Sequence, residues 1–224
     1  MKVTKRKQTW GTLDQDKVYS LADAIEALRA FTSKKFDESL EIAVRLGIDV
    51  TKADQNIRGM LSLPNGTGKS VRVAVFTVNS QDEAKKAGAD VVGGEELIDK
   101  VAAGEINFDR VIATPDMMPK MSKVARILGP KGLMPNPKLG TVTNNVAEAV
   151  KVAKAGQIEY RAEKKGIIHA GLGKMSFTTD ALVENANALI DQLKKVKPAS
   201  SKGQYILGVS VATTQGPGLK VDVK

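Results

Sequence analysis

Apolar and polar residues alternate with two different periods in the first part of the chain. Apolar residues recur every three or four positions between Val18 and Phe31, which predicts an amphipathic helix with Ser20 near its start. From Leu40 to Ile48 they alternate strictly with other residues, which predicts a strand with one buried face. The further elements that such patterns predict are a strand at 57–63, a hairpin of strands 158–161 and 167–170, a helix at 179–195 and a strand at 205–211. Both ends of the chain therefore indicate an α+β fold.

The middle of the chain has another pattern, in which short apolar runs alternate with helical segments. The run from Val71 to Val78 is almost wholly apolar, as is typical of a buried parallel strand. The same pattern predicts strands at 90–92 and 109–113 and helices at 81–87, 95–103, 117–128 and 146–155. This alternation predicts a doubly wound α/β unit. Its position between two α+β segments suggests an inserted domain, although three consecutive units would produce a similar pattern.

The composition excludes several classes of protein. No apolar run approaches the roughly 18 residues that a membrane-spanning helix needs. The chain has no cysteine and a single histidine, His169, which excludes disulfide frameworks, cysteine nucleophiles and multi-histidine metal sites. A lone histidine is most often a packed or surface residue. The basic start, MKVTKRKQTW, is not followed by an apolar signal segment, so we interpret it as an uncleaved cytoplasmic arm.

The charge of +9, from 34 Lys and Arg against 25 Asp and Glu, favours a polyanionic partner such as nucleic acid. A general DNA-binding protein is one alternative, but we find no helix-turn-helix spacing and no zinc ligands. A nucleotide-dependent enzyme is another, because Gly66-Thr67-Gly68-Lys69-Ser70 is similar to part of a phosphate-binding loop. However, Leu63 occupies the position of that motif's first glycine, and the loop precedes a strand instead of following one. We interpret this segment as a flexible crossing between domains.

The most specific motif is the segment Ile-Leu-Gly-Pro-Lys-Gly-Leu-Met-Pro-Asn-Pro-Lys-Leu-Gly-Thr-Val-Thr at residues 127–143. Its glycines and prolines predict a rigid, irregular loop around Leu133 and Met134. The segment also closely resembles the signature of the ribosomal protein L-one family, the large-subunit proteins of the ribosome's mobile stalk, in its bacterial type. Further segments follow the order of that family at 35–41, 47–49, 54–59, 108–109, 113–116, 166–169 and 216–217. The resemblance covers essentially the whole chain.

The resemblance implies an organisation and a function. The chain would have a split, two-layer α+β RNA-binding domain, residues 1–66 plus 158–224, and an inserted three-layer Rossmann-like domain, residues 67–157. Gly66, Gly68 and Gly156 would form the hinge at the crossings. The implied partners are 23S rRNA, the E-site tRNA whose release involves the stalk, the mRNA of the protein's own operon and other large-subunit components. The resemblance further implies translational repression, a monomer off the ribosome, no cofactor, no membrane partner and no enzymatic activity.

The residues of the family's first RNA-contact patch match Lys35, Phe36, Ser39 and Glu41 in this chain. We expect Lys35 to neutralise a phosphate and Phe36 to pack against a sugar or base. Ser39 and Glu41 can hydrogen-bond to 2′-hydroxyls or base edges. The alternatives are plain core packing for Phe36 and a solvated strand face for Ser39 and Glu41.

The second RNA-contact patch matches Thr214, Gln215 and Gly216. A hydroxyl at Thr214 and backbone amides near Gly216 can also hydrogen-bond to RNA. Gln215 departs from the family, which commonly has methionine there, so an amide replaces an apolar contact. Additional candidates on neighbouring strands are Arg45, Lys165 and His169.

Overall fold

The computed structural model describes residues 10, 13–14, 17–33 and 35–222. Residues 1–9, which hold most of the predicted basic arm, lie outside this description. The contacts divide the chain into two compact units. Unit 1 consists of Met1–Gly68 and Ile158–Lys224, and unit 2 consists of Lys69–Gln157.

Strands and helices alternate along the described chain. The strands are β1 (Val18–Tyr19), β2 (Ser39–Leu46), β3 (Arg58–Ser62), β4 (Val73–Phe76), β5 (Val91–Gly93), β6 (Arg110–Ala113), β7 (Gln157–Arg161), β8 (Ile167–Lys174), β9 (Ile206–Thr213) and β10 (Gly218–Val221). The helices are α1 (Leu21–Arg29), α2 (Gln81–Lys86), α3 (Glu95–Ala102), α4 (Met118–Met121), α5 (Ala125–Leu128), α6 (Val146–Lys154) and α7 (Thr179–Lys195).

Unit 1 has a five-stranded sheet in the order β1-β10-β9-β2-β8, with α1 and α7 packed on one face. The alternating apolar residues of β2, such as Leu40 and Ile42, are buried in a core shared with Leu189 of α7. The Ser20 hydroxyl oxygen accepts a hydrogen bond from the Asp23 N–H and caps α1, as the sequence predicts. Because the helices cover one face, the polar residues of β2 lie on the other.

The predicted hairpin of strands 158–161 and 167–170 is wrong. β7 pairs with β3 in a separate two-stranded sheet, whereas β8 pairs with β2, and Ala162 and Ile168 form only an isolated bridge. The turn between β7 and β8 closes when the Gly166 N–H donates to the Glu163 carbonyl, at 2.8 Å. The apolar residues of both strands are buried in the unit 1 core, and the chain passes from the two-stranded sheet to the five-stranded sheet at this turn.

Unit 2 has a three-stranded parallel sheet in the order β5-β4-β6. Phe76 and Ala74 of β4 belong to one apolar cluster with α3, and Val73 and Val75 belong to a second cluster with α6. Successive residues of a strand face opposite sides of the sheet, so the two clusters lie on its two faces. These three layers confirm the expected doubly wound α/β class.

The single helix predicted at 117–128 is also wrong. A short 3₁₀ turn at Pro115–Met117 precedes α4, and a second at Ser122–Val124 separates α4 from α5. Pro119 has no backbone N–H, and the Ser122 hydroxyl donates to the Pro119 carbonyl at 2.7 Å. Such local side-chain bonds compete with a continuous helical ladder.

The first crossing between the units is held to unit 1 by Asn185 of α7. The Asn185 side chain donates to the Gly66 carbonyl at 3.0 Å and accepts from the Asn65 N–H at 3.1 Å. Gly66 and Gly68 both have φ of 67°, and Gly156 at the second crossing has φ of 97°. These left-handed conformations favour glycine at all three positions.

Candidate nucleic-acid interface

The two sequence patches meet at one end of the unit 1 sheet. Antiparallel pairing of β2 with β9 sets Leu40 opposite Thr213. The Ser39 N–H donates to the Thr214 hydroxyl oxygen at 2.9 Å, and the Thr214 N–H donates to the Ser39 carbonyl at 3.1 Å. Segments 35–41 and 214–216 therefore form one continuous surface, although Ser39 and Thr214 lie 175 positions apart.

The loop before β2 exposes a cation and an aromatic ring. Lys35 is exposed, and Phe36 is 44% exposed and does not belong to the unit 1 core. This exposure disfavours core packing for Phe36 and leaves its ring accessible. A phosphate-binding cation beside a stacking surface suits single-stranded or looped RNA.

A tight turn at residues 213–216 supplies the other half of this surface. The Gly216 N–H donates to the Thr213 carbonyl at 3.1 Å, and a Cβ on Gly216 would lie 2.1 Å from the Thr213 hydroxyl oxygen. Any other residue would force the Thr213 side chain to move, so the close approach favours glycine. The Gln215 residue is exposed at the tip of the turn.

The uncovered sheet face carries Glu41, whose cross-strand neighbours are small, and Arg45, which lies opposite Ile167 of β8. Glu41 lies opposite Gly171 and Ala212, and Arg45 lies opposite Gly208. Ser39 and Arg45 are separated by about 20 Å along β2 at the usual rise of a strand. Arg45 is therefore not brought into the cluster formed by the two patches.

Lys165 and His169 lie beside a groove of about 930 Å³ at the β7–β8 turn. His169 lies opposite Ala43, and its Nε2 is 3.8 Å from the Glu163 carboxylate. The groove is also lined by Arg161 and Lys164, two cations that sequence reasoning missed. The sequence offered a signal for both: Arg161 ends the strand before the turn, and Lys164 directly precedes the candidate Lys165.

A model of the Ribosomal protein L1p/L10e family matches residues 28–217. The chain belongs to this family. It is therefore a structural protein of the large ribosomal subunit that binds rRNA and takes part in translation in the cytoplasm. The resemblance drawn from the signature segment is confirmed.

Asp109, Asp90 and Tyr205 of this L1-family protein have shifted pKa values and lie outside segments 35–41 and 214–216. Hydrogen bonds from Arg72 and its positive charge lower the pKa of Asp109. The pKa of Asp90 is lowered mainly by a hydrogen bond from the Val73 N–H, and further by a hydrogen bond from Lys154. Burial raises the pKa of Tyr205 to about 12. The described residues contain no cluster of three or more potential metal-ligating side chains, and none of their helices is both long and apolar enough to cross a bilayer.

A substitution at Thr214 tests the junction of the two patches. We expect Thr214→Val to weaken rRNA binding by about 1 kcal/mol, because the Ser39 N–H loses its acceptor. Thr214→Ser keeps the hydroxyl and is expected to bind as the unmodified protein does. Isothermal titration calorimetry with an rRNA fragment measures both variants, and full affinity in Thr214→Val would remove this hydroxyl from the interface.

Proposed function

We propose that this L1-family protein binds 23S rRNA through the end of the unit 1 sheet and so forms the mobile stalk near the E site. The observation that carries the proposal is the reciprocal bonding of Ser39 and Thr214, which joins segments 35–41 and 214–216 into one exposed surface. A surface assembled from distant segments is fixed by the fold before RNA arrives. Such pre-organisation reduces the ordering cost of binding.

Each residue of the surface has a distinct role in this proposal. Lys35 neutralises a backbone phosphate, and Phe36 packs against a base or sugar. Ser39 and Glu41 hydrogen-bond to 2′-hydroxyls or base edges. The turn contributes the Gln215 side chain, at a position where the family commonly has methionine. The N–H groups of residues 214–216 already donate to the Ser39 carbonyl, the Glu38 carboxylate and the Thr213 carbonyl, so the expected contact of these amides with RNA is not part of the proposal.

Arg45, Lys165 and His169 extend the proposed contact along the open sheet face. All three are exposed, and His169 and Lys165 line the groove at the β7–β8 turn. Their distance from the Ser39 end of β2 means that they contact a different part of the RNA. We assign them phosphate and 2′-hydroxyl contacts that lengthen the footprint.

We further propose that the same surface binds the mRNA of the protein's own operon and thereby represses translation. One surface cannot hold both RNAs at once, so free rRNA would relieve repression by competition.

We also propose that residues 1–66 and 158–224 form the RNA-binding domain. Residues 67–157 form a second domain, which moves about Gly66, Gly68 and Gly156 during release of deacylated E-site tRNA. Off the ribosome the protein is a monomer with a binding role and no catalytic one.

The test is binding of the purified protein to a stalk-region rRNA fragment across a salt series. Nonspecific duplex RNA and duplex DNA serve as competitors at equal salt. Binding that persists at about 200 mM salt with a large preference for the stalk fragment is expected. Binding that is lost with salt and ignores the identity of the nucleic acid would contradict specific recognition, and micromolar affinity for ATP or NAD would instead support an enzyme.

A charge substitution tests the role of Lys35. We expect Lys35→Ala to lower affinity and to reduce the slope of log affinity against log salt by about 1, because one phosphate contact is lost. Lys194→Ala is the matched control, since Lys194 is exposed on α7, which packs on the opposite face of the sheet. An unchanged slope in Lys35→Ala, or an equal change in the control, would exclude a specific phosphate contact at Lys35.

A further inference from the structure

Glu38 is a buried carboxylate between the two segments of the proposed interface. It is 1% exposed, although it lies next to the exposed residues Asp37 and Phe36. A buried charge is costly unless hydrogen bonds satisfy its oxygens. The bonds made by Glu38 therefore show what its burial achieves.

The two carboxylate oxygens of Glu38 bind two different segments. Oε1 accepts from the Ser33 N–H at 2.8 Å, directly before the Lys35–Phe36 loop. Oε2 accepts from the Gln215 N–H at 3.4 Å, in the 213–216 turn. The longer second bond is the weaker of the two.

The backbone of Glu38 and the side chain of Asp37 both bond to the segment that directly follows β8. The Glu38 carbonyl accepts from the Met175 N–H at 2.8 Å. The Asp37 carboxylate accepts from the Ser176 N–H at 3.1 Å and from the Ser176 hydroxyl at 2.8 Å. Asp37 thus bonds to the segment after β8, while the Glu38 side chain joins the loop before β2 to the turn after β9.

We infer that Glu38 is a positioning residue, which holds the Lys35–Phe36 loop and the Gln215–Gly216 turn in one arrangement for rRNA. It contacts no RNA itself, because its side chain is buried. The carboxylate is required because each of its oxygens accepts from an N–H donor, whereas the glutamine side chain would place its own NH₂ group against one of these donors. This inference rests on the proposed function of segments 35–41 and 214–216.

The experiment uses Glu38→Gln in the full chain with the stalk-region rRNA fragment. We expect about a tenfold loss of affinity, because one of the two segments loses its hydrogen bond to residue 38 and is held less firmly. The salt slope is expected to stay unchanged, since no phosphate contact is removed. Asp37→Asn is the matched control: it removes the same charge at the adjacent position but leaves the 213–216 turn attached, so its loss of affinity is expected to be smaller.

Amide hydrogen exchange supplies a readout that does not depend on the variant's folding. In the unmodified protein, the Ser33 and Gln215 amides should exchange more slowly than the amide of exposed Phe36. In Glu38→Gln, the Ser33 amide, the Gln215 amide or both should exchange faster than in the unmodified protein, while the backbone amides of the five-stranded sheet stay protected. Exchange at Ser33 and Gln215 as fast as at Phe36 in the unmodified protein would overturn the inference.

The binding results separate this inference from the proposed function. If Lys35→Ala weakens rRNA binding and folded Glu38→Gln does not, the positioning role is wrong and the interface stands. If neither variant changes affinity, the interface itself is wrong. A lower melting temperature of Glu38→Gln with full affinity of the folded protein would indicate a purely structural role and would also overturn the inference.

Discussion

Asn185→Ala is expected to lower the free energy of unfolding by about 2–4 kcal/mol, because buried polar groups lose their partners. The Asn185 side chain is fully buried and donates to the carbonyls of Leu172 and Gly66, at 2.8 and 3.0 Å. It also accepts from the Asn65 N–H at 3.1 Å. Alanine would leave one N–H and two carbonyls without these bonds. Urea-induced unfolding measures the loss.

Asn187→Ala is the control, with the same change on the same helix. Asn187 is exposed, so its replacement should change the free energy of unfolding by no more than about 0.5 kcal/mol. Because alanine has a higher helix propensity than asparagine, this small change is expected to be an increase in stability. Equal losses in both variants would mean that the bonds of Asn185 contribute no specific stability and that the crossing at Gly66 is not anchored through α7.

Long periodic segments of this fold could be predicted from the sequence alone. The apolar alternation around Leu40 extends along a whole strand, and the apolar stripe of α7 extends over several helical turns. Because each pattern must bury one face, few other secondary structures are compatible with it. α1 is shorter than its apolar pattern, because Ser20 caps it and Val18 enters β1. Local hydrogen bonding, not hydrophobic period, sets that boundary.

Strand pairing and short elements could not be predicted in the same way. β10 has only four residues, too few to establish a period, and its place in the sheet depends on β9. The partner of β8 is β2, whose residues, such as Ile42, lie more than a hundred positions away in the chain. Non-local pairing of this kind leaves no mark in the local pattern.

The candidate interface was predictable position by position only through the family resemblance. Nothing in the sequence near Ser39 indicates that Thr214 will be its neighbour, because the pairing of β2 with β9 decides this. Glu38 was missed for a related reason. A glutamate after Asp37 in a polar loop is typical of a solvated residue, and only the fold shows that it is buried.

Phe76→Ala is expected to destabilise the protein by about 3–5 kcal/mol, as truncation of a buried aromatic side chain usually does. Phe76 is fully buried, and its ring meets Phe108 edge-on with centroids 6.4 Å apart. Its cluster contains residues of unit 2 only, and the core of unit 1 contains none of them. The loss should therefore fall on unit 2, which calorimetry would detect as an earlier unfolding transition.

Phe36→Ala is the matched variant with the opposite expected result. The exposed Phe36 ring contributes little to stability, so the free energy of unfolding should change by no more than about 0.5 kcal/mol. Loss of a base-stacking ring should weaken rRNA binding by about 1–3 kcal/mol. Phe76→Ala should instead keep its affinity for the stalk fragment below its unfolding transition, because the proposed contacts lie on unit 1.

The two phenylalanine variants together separate stability from recognition. If Phe76→Ala lost rRNA binding as strongly as Phe36→Ala, unit 2 would have to supply essential contacts, and the proposed interface on unit 1 would be incomplete. If Phe36→Ala kept full affinity, the exposed ring would have no part in recognition. The two variants are expected to have opposite effects because the units have separate apolar cores and the proposed binding surface is built on unit 1 only.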